Sequence, residues 1–284
     1  MSIECYDVGG TWIRGAVFNE KGKILKKIKK RTIGDFCSQI KQMHKDLASK
    51  SSYKISIAVP GPVLDGLLTK APPLGINYPI DLKKELKGLG KEIYLENDLN
   101  AAVEAELNFG TGKYCDNFYL LTISTGIGVG LVINKNIVRG TSGEFGHNVL
   151  ERRNEFLFKC GCGNYGCWAS LCGGNGIRNL ANKLIGEDLS PTGVFKRVKS
   201  GDKKAKGLVG MVKDYNAQGL GIMINAIEVD KIIIMGSIGL EQFYQVVPKY
   251  SQIKNYTINK IPKIRRTSLG DNICLIGSYL IANK

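Results

Sequence analysis

The chain has 284 residues, 43% of them hydrophobic, with a net charge of +15 and eight cysteines. That length can bury a sizeable core in one large domain or two small ones, and no run of eighteen apolar residues marks a membrane span. Residues 1–5 show no basic region followed by an apolar stretch, so no signal peptide is expected and the protein is placed in the cytoplasm. Cysteines there are expected as thiols or metal ligands, not as a disulfide framework. The lysines are scattered, with no basic stripe interleaved with aromatics. This argues against specific nucleic-acid binding and for a generally basic surface that draws in anions.

In chain order, residues 3–8 read as a strand, 9–11 as a turn and 13–19 as the returning strand, followed by a third strand over 24–28. Phe36, Ile40, Met43 and Leu47 recur at helical spacing. A strand over 54–59 ends at Pro60-Gly61-Pro62, and another over 93–95 runs into Glu96-Asn97-Asp98, with a helix over 101–107. The pattern then begins again: strand 118–123, a Gly/Thr turn over 124–128, strand 129–133. This is a weak internal repeat, expected of two similar α/β halves that each offer a glycine-rich turn. Residues 207–228 read as a helix, 231–235 as a strand stopping at Gly236-Ser237, and 273–282 as a closing helix.

Four motifs carry chemistry. In Asp7-Val8-Gly9-Gly10-Thr11 the glycines let backbone N–H groups approach a phosphate, Thr11 adds a hydroxyl, and Asp7 could hold magnesium through water. An ordinary Gly-Gly hairpin turn reads the same. The second turn, around Thr125 and Gly126, repeats this chemistry, and two such turns in one chain favour a nucleotide site. Asp98 could accept the proton of an attacking alcohol, with Asn97 holding neighbouring hydroxyls; Asn and Asp are equally suited to cap the following helix. The most specific signal is Cys160-Gly-Cys162 followed by Cys167, with His147 upstream. Three thiolates and one imidazole complete a tetrahedral zinc site, and four protein ligands make the ion structural.

As an ordered set these motifs resemble the ROK family of repressors and sugar kinases, over nearly the whole chain. Asp7, Gly9, Gly10 and Thr11 are similar to the family's first phosphate motif, Thr125 and Gly126 to its second, and Gly236 and Ser237 to its adenosine motif. Asn97 and Asp98 match its sugar-binding Asn and catalytic base. Glu144 and His147 match its sugar-binding Glu and the His bridging sugar and zinc, and Gly61 joins the sugar-side set. The resemblance implies an actin-like ATPase (hexokinase-like) α/β fold, with two lobes around an interlobe cleft: residues 1–105 plus 268–284, and 106–267 with the zinc loop. It implies ATP and Mg2+ as well as Zn2+, a homodimer or dimer of dimers, and phosphorylation of a hexose at its 6-hydroxyl. Two positions depart from the family. Ala169 replaces a Glu that contacts hydroxyls near C1 and C2, and Pro73 stands where the family has Asn. The lost carboxylate inclines the expectation to an N-acylhexosamine such as N-acetylmannosamine, with glucose and a non-catalytic sugar-binding regulator as alternatives.

Overall fold

The computed structural model describes residues 2–47, 52–90, 92–139 and 141–284. The chain divides into two compact units, Met1–Lys113 with Asp271–Lys284, and Tyr114–Gly270.

In the first unit, β1 (Ser2–Val8), β2 (Trp12–Phe18) and β3 (Ile24–Arg31) form an antiparallel meander, and β4 (Ser52–Val59) and β5 (Glu92–Asn97) add parallel strands on the other side of β1. The spatial order is β3-β2-β1-β4-β5. Every residue of β1 is buried, which fits a central strand covered on both faces. Tyr6, Val8, Ile13 and Val17 face helix α1 (Phe36–Leu47), whose Phe36, Ile40, Met43 and Leu47 form its inner stripe. Ile3, Cys5, Ala16 and Phe18 face the C-terminal helix, Ile273–Ala282. That helix crosses α2 (Asp98–Phe109) at Gly277, where a Cβ would overlap the Ala101 carbonyl oxygen.

The second unit repeats the plan. Strands β6 (Phe118–Ile123), β7 (Ile127–Ile133) and β8 (Asn136–Ile137) form the meander, and β9 (Lys231–Met235) and β10 (Lys263–Arg266) are the added parallel strands. The order β8-β7-β6-β9-β10 matches the first sheet strand for strand. The repeat that is weak in sequence is complete in topology. Helices α3 (Trp168–Cys172), α4 (Gly174–Ile185) and α5 (Lys203–Ala226) share one core with this sheet, around Trp168 and Tyr119.

Several boundaries move from their sequence expectation. Helix α2 starts at Asp98, not 101, because the Asn97 side chain caps it. Helix α5 starts at Lys203, not 207, because Asp202 accepts from the Lys204 and Ala205 N–H groups. The unit boundary lies at Lys113 rather than 105. Glu106 takes the backbone N–H groups of Thr111 (2.6 Å) and Gly112 (3.2 Å), which keeps the segment after α2 with the first unit.

At the helix crossing, Gly277→Ala is expected to destabilise the protein by roughly 1–3 kcal/mol, because the methyl group has no room against Ala101. Urea unfolding measures this, and an unchanged midpoint would contradict the close approach.

Candidate functional site

Within the first unit, the candidate groups gather at the C-terminal ends of β1, β4 and β5. The turn between β1 and β2 is closed by Gly9 N–H donating to the Trp12 carbonyl (2.9 Å), and it is braced by Thr32, whose hydroxyl donates to the Gly9 carbonyl (2.6 Å). Among the described residues no acceptor takes the N–H of Gly10 or Thr11. Two consecutive unanswered donors on an exposed turn suit a phosphate oxygen. Gly10 is required by packing: a Cβ there would lie 2.6 Å from the Pro73 carbonyl oxygen. Pro73 thus lies directly on the turn between β1 and β2.

Asp7 is buried beneath this turn and accepts from Arg14 Nη1 at 3.0 Å. Burial pushes its carboxyl above the ordinary value, and the Arg14 guanidinium offsets part of that effect. Arg14 is a partner the motif reading missed. Hairpin register was the available signal, since a tight turn at 9–11 pairs residue 7 with residue 14. The Cys274 thiol, at the start of the C-terminal helix, is pushed well up, first by burial and then by the charges of Asp7 and Asp98. Both acids therefore belong to one electrostatic neighbourhood.

Asn97, and not Asp98, caps α2. Its Oδ1 accepts from the N–H groups of Leu99 (3.0 Å) and Asn100 (3.2 Å), and its Nδ2 donates to the Gly61 carbonyl (3.0 Å). Gly61 has φ +116°, and a Cβ there would overlap the Lys70 carbonyl oxygen, so only glycine presents that carbonyl. Asp98 is the first helical residue, half-buried, with Oδ1 accepting from the Leu99 N–H at 2.9 Å. A helix N-terminus favours negative charge. Glu96, given no role in the sequence reading, receives the Asn97 N–H (3.0 Å) and the Asn100 side-chain amide (2.9 Å) and stiffens the segment.

The second unit gathers its groups at the equivalent strand ends. The turn between β6 and β7 is closed by Ser124 N–H to the Gly126 carbonyl (3.0 Å), and no described acceptor takes the N–H of Thr125 or Gly126. The Ser124 and Thr125 carbonyls accept from Gly174 (2.8 Å) and Asn175 (3.3 Å) at the start of α4. Gly236, with φ +86°, packs where a Cβ would lie 2.5 Å from the Ile123 carbonyl oxygen, which brings Gly236-Ser237 beside the same turn. Ala169 is also here: a Cβ on Gly126 would lie 4.0 Å from the Ala169 methyl. Gly146 abuts the Ile127 carbonyl, so the Thr141–His147 segment closes the group.

That segment carries Glu144 and His147. His147 Nε2 lies 3.2 Å from Glu144 Oε2, and its Nδ1 lies 3.3 Å from Cys160 Sγ. The ligand atoms of His147, Cys160, Cys162 and Cys167 all fall within 4.8 Å of one another. The Cys162–Cys167 sulfur separation is 3.8 Å, close to the edge of a tetrahedron with bonds of about 2.3 Å to sulfur. Hydrogen bonding to Cys160, then to Glu144, draws the His147 pKa up to about 10. With Nδ1 turned to the thiols, Nε2 is left to donate to Glu144, an arrangement that orients a ligating imidazole. Cys172 stays outside the cluster, buried and donating to the Val212 carbonyl (3.5 Å). Cys5, Cys37, Cys115 and Cys274 are buried thiols, as expected.

A family model described as ROK matches residues 3–284. The chain is 30% identical over 291 residues to a glucokinase of Pyrobaculum calidifontis, covering 98% of this chain and 94% of the relative. It is 28% identical over 283 residues to an N-acetylmannosamine kinase of Haemophilus influenzae, covering 96% and 92%. Among solved structures, a ROK hexokinase from Thermus thermophilus superposes with a TM-score of 0.80 at 26% identity, covering 99% and 98%. A Streptomyces griseus glucokinase in complex with glucose and AMPPNP gives 0.79 at 24% identity, covering 99% of both chains.

Proposed function

The chain belongs to the ROK family and is an ATP-dependent sugar kinase of the two-lobed actin-like fold, and from that premise we propose that it transfers the γ-phosphoryl group of ATP to the 6-hydroxyl of an N-acylhexosamine, N-acetylmannosamine foremost. The observation that supports this mechanism best is the division of labour at Asn97-Asp98. Asn97 Oδ1 takes the Leu99 and Asn100 N–H groups, Asp98 Oδ1 shares the Leu99 N–H, and the other Asp98 oxygen is assigned the role of proton acceptor. The Gly10 and Thr11 N–H groups, the Thr125 and Gly126 N–H groups and the two threonine hydroxyls are assigned to the triphosphate. Gly9 shapes the first turn, and Gly236 and Ser237 are assigned to the adenosine.

Asp98 takes the hydroxyl proton as the oxygen attacks, and Glu144 and His147 hold ring hydroxyls. Asn97 fixes the start of α2 with its oxygen and gives one Nδ2 proton to the Gly61 carbonyl, and its second Nδ2 proton is assigned to a ring hydroxyl, with Gly61 positioning the amide. Orientation and charge neutralisation supply most of the rate in such transfers. Mg2+ on the nucleotide neutralises phosphate charge when bound, and Asp7 is the residue that would hold it through water. The Cys3His cluster fits zinc in donor set and spacing and would fix His147 in place.

The preference for an acylated sugar rests on Ala169. A methyl group stands beside the second turn where the family resemblance implies a Glu, and a C2 N-acyl group would gain room there without missing an acceptor. Measured with glucose, mannose, fructose and the N-acetyl hexosamines in a coupled ADP-release assay, kcat/KM for N-acetylmannosamine should exceed that for glucose by about tenfold or more. A clear preference for glucose would remove the acyl reading and leave a glucokinase. Asp98→Asn should lower kcat by about 10²–10⁴-fold with the thermal midpoint unchanged; near-normal turnover would rule Asp98 out as the base. Elemental analysis should find about one zinc per chain, lost in Cys162→Ser. A zinc-free wild-type protein of full sugar affinity would exclude the structural ion.

A further inference from the structure

Seven of the eight cysteines are buried, and Cys162 is half-exposed. It stands on the tip of a small hairpin in the zinc loop. A bridge between Lys159 and Tyr165 closes the hairpin. Inside it, Cys160 N–H donates to the Asn164 carbonyl (2.7 Å) and Gly163 N–H donates to the Cys160 carbonyl (3.0 Å). Gly163 has φ +101°, and a Cβ there would meet nothing within 4 Å. The tip is open to solvent and has room to shift.

Cys167 is its opposite: fully buried, on backbone held from both sides. Gly166 N–H donates to the Phe158 carbonyl (3.0 Å), and the Gly166 carbonyl accepts from Leu150 (2.9 Å) and Glu151 (3.2 Å). Trp168 N–H donates to the Asn148 carbonyl (2.9 Å), and its indole N–H to Asn216 (2.7 Å). A Cβ on Gly166 would overlap the Glu151 carbonyl oxygen. An exposed, movable sulfur thus faces a buried, fixed one at 3.8 Å. A structural zinc site needs four ligands, but it does not need one of them at the surface. Exposed thiolates are the ones that oxidants reach.

We propose that Cys162 and Cys167 are a reversible oxidation site: a hydroperoxide joins them as a disulfide, zinc leaves, and sugar binding weakens. The Cys162 thiolate attacks one peroxide oxygen, the O–O bond breaks and hydroxide leaves. The Cys167 thiolate then attacks the Cys162 sulfur, the S–O bond breaks and a second hydroxide leaves. Two electrons pass from the two sulfurs to the peroxide, and two protons from solvent turn both hydroxides into water. The pair must close from 3.8 Å to the about 2.05 Å of a disulfide, which the hairpin tip can supply. Cys160 and Cys162, with one residue between them, would close a far tighter ring. Zinc is then left with His147 and Cys160, two of its four ligands. His147, 3.2 Å from Glu144, loses the ion that would fix it. Among the described residues the tip, 160–164, makes no hydrogen bond to the turn between β6 and β7. The nucleotide side is therefore spared. This depends on zinc filling the cluster, as proposed above.

Treating the zinc-loaded full chain with stoichiometric hydrogen peroxide tests it, with zinc release followed by a chromogenic chelator. Zinc should leave as the tryptic peptide 160–178 loses two hydrogens, and fragmentation should place the bridge between Cys162 and Cys167. By calorimetry, affinity for N-acetylmannosamine and glucose should fall by about tenfold or more, while affinity for MgATP changes little. Dithiothreitol followed by zinc should restore both sugar affinity and the metal. Cys172→Ser, outside the cluster, should respond as wild type does. In metal-free protein, limiting iodoacetamide should label Cys162 ahead of Cys160 and Cys167. Retention of zinc and thiols under peroxide would overturn the proposal, as would a bridge on other cysteines. Unchanged sugar affinity after zinc release would overturn the link to binding. A chain isolated without zinc contradicts the structural ion before any oxidant is added, and this proposal falls with it.

Discussion

The site depends on how one amide is used. Asn97 satisfies two N–H groups at the start of α2 with its oxygen and fixes the Gly61 carbonyl with its nitrogen. A helix start needs such a partner. Asp98 Oδ1 shares the Leu99 N–H with that amide, and because Asn97 alone takes the Asn100 N–H, Asp98 is the first residue of a rigid helix without carrying the whole cap. The Glu96 side chain and the glycine-only conformation at position 61 exist around the same amide.

The two sheets solve one problem twice. Each unit has a three-strand meander followed by two parallel strands, and in each the turn after the central strand leaves two consecutive N–H groups without an acceptor among the described residues. Close packing enforces both turns: the Pro73 carbonyl bars a side chain at Gly10, and Gly173 abuts both the Thr125 carbonyl and Gly126. Around the second turn the chain brings Ala169, Gly236 and the Glu144–His147 segment together. The Ala169 methyl therefore lies beside the turn between β6 and β7.

Much of this was legible in the sequence, and the missing parts share a cause. The closing helix falls on residues 273–282, and the Cys3His set assembles from its spacing alone, because both signals are local. The strand–turn–strand repeat predicted two matching halves, and the common strand order supplies them. The sequence offered Asn97 and Asp98 alike as the cap of α2 without deciding between them, and the cap by Asp202, the Asp7–Arg14 pair and the cationic face of β2 and β3 went unread. Each depends on register or on which neighbouring side chain takes a shared partner, and composition does not encode that. Lysines that look scattered along one strand become a stripe only when a second strand sets Arg14 and Trp12 beside them. The same limit applies to Pro73, which reads as a lost asparagine in the sequence and as a wall against Gly10 in the fold.

The central claim is that an ionised Asp98 receives the proton of the acceptor alcohol. A crystal structure with N-acetylmannosamine and a non-hydrolysable ATP analogue tests it most directly. The account predicts an Asp98 carboxylate oxygen about 2.6–3.2 Å from the sugar 6-oxygen, with Asn97 still bonded to Leu99, Asn100 and Gly61. A bound sugar whose 6-oxygen approaches another group, with neither Asp98 oxygen within hydrogen-bond distance of it, would contradict it.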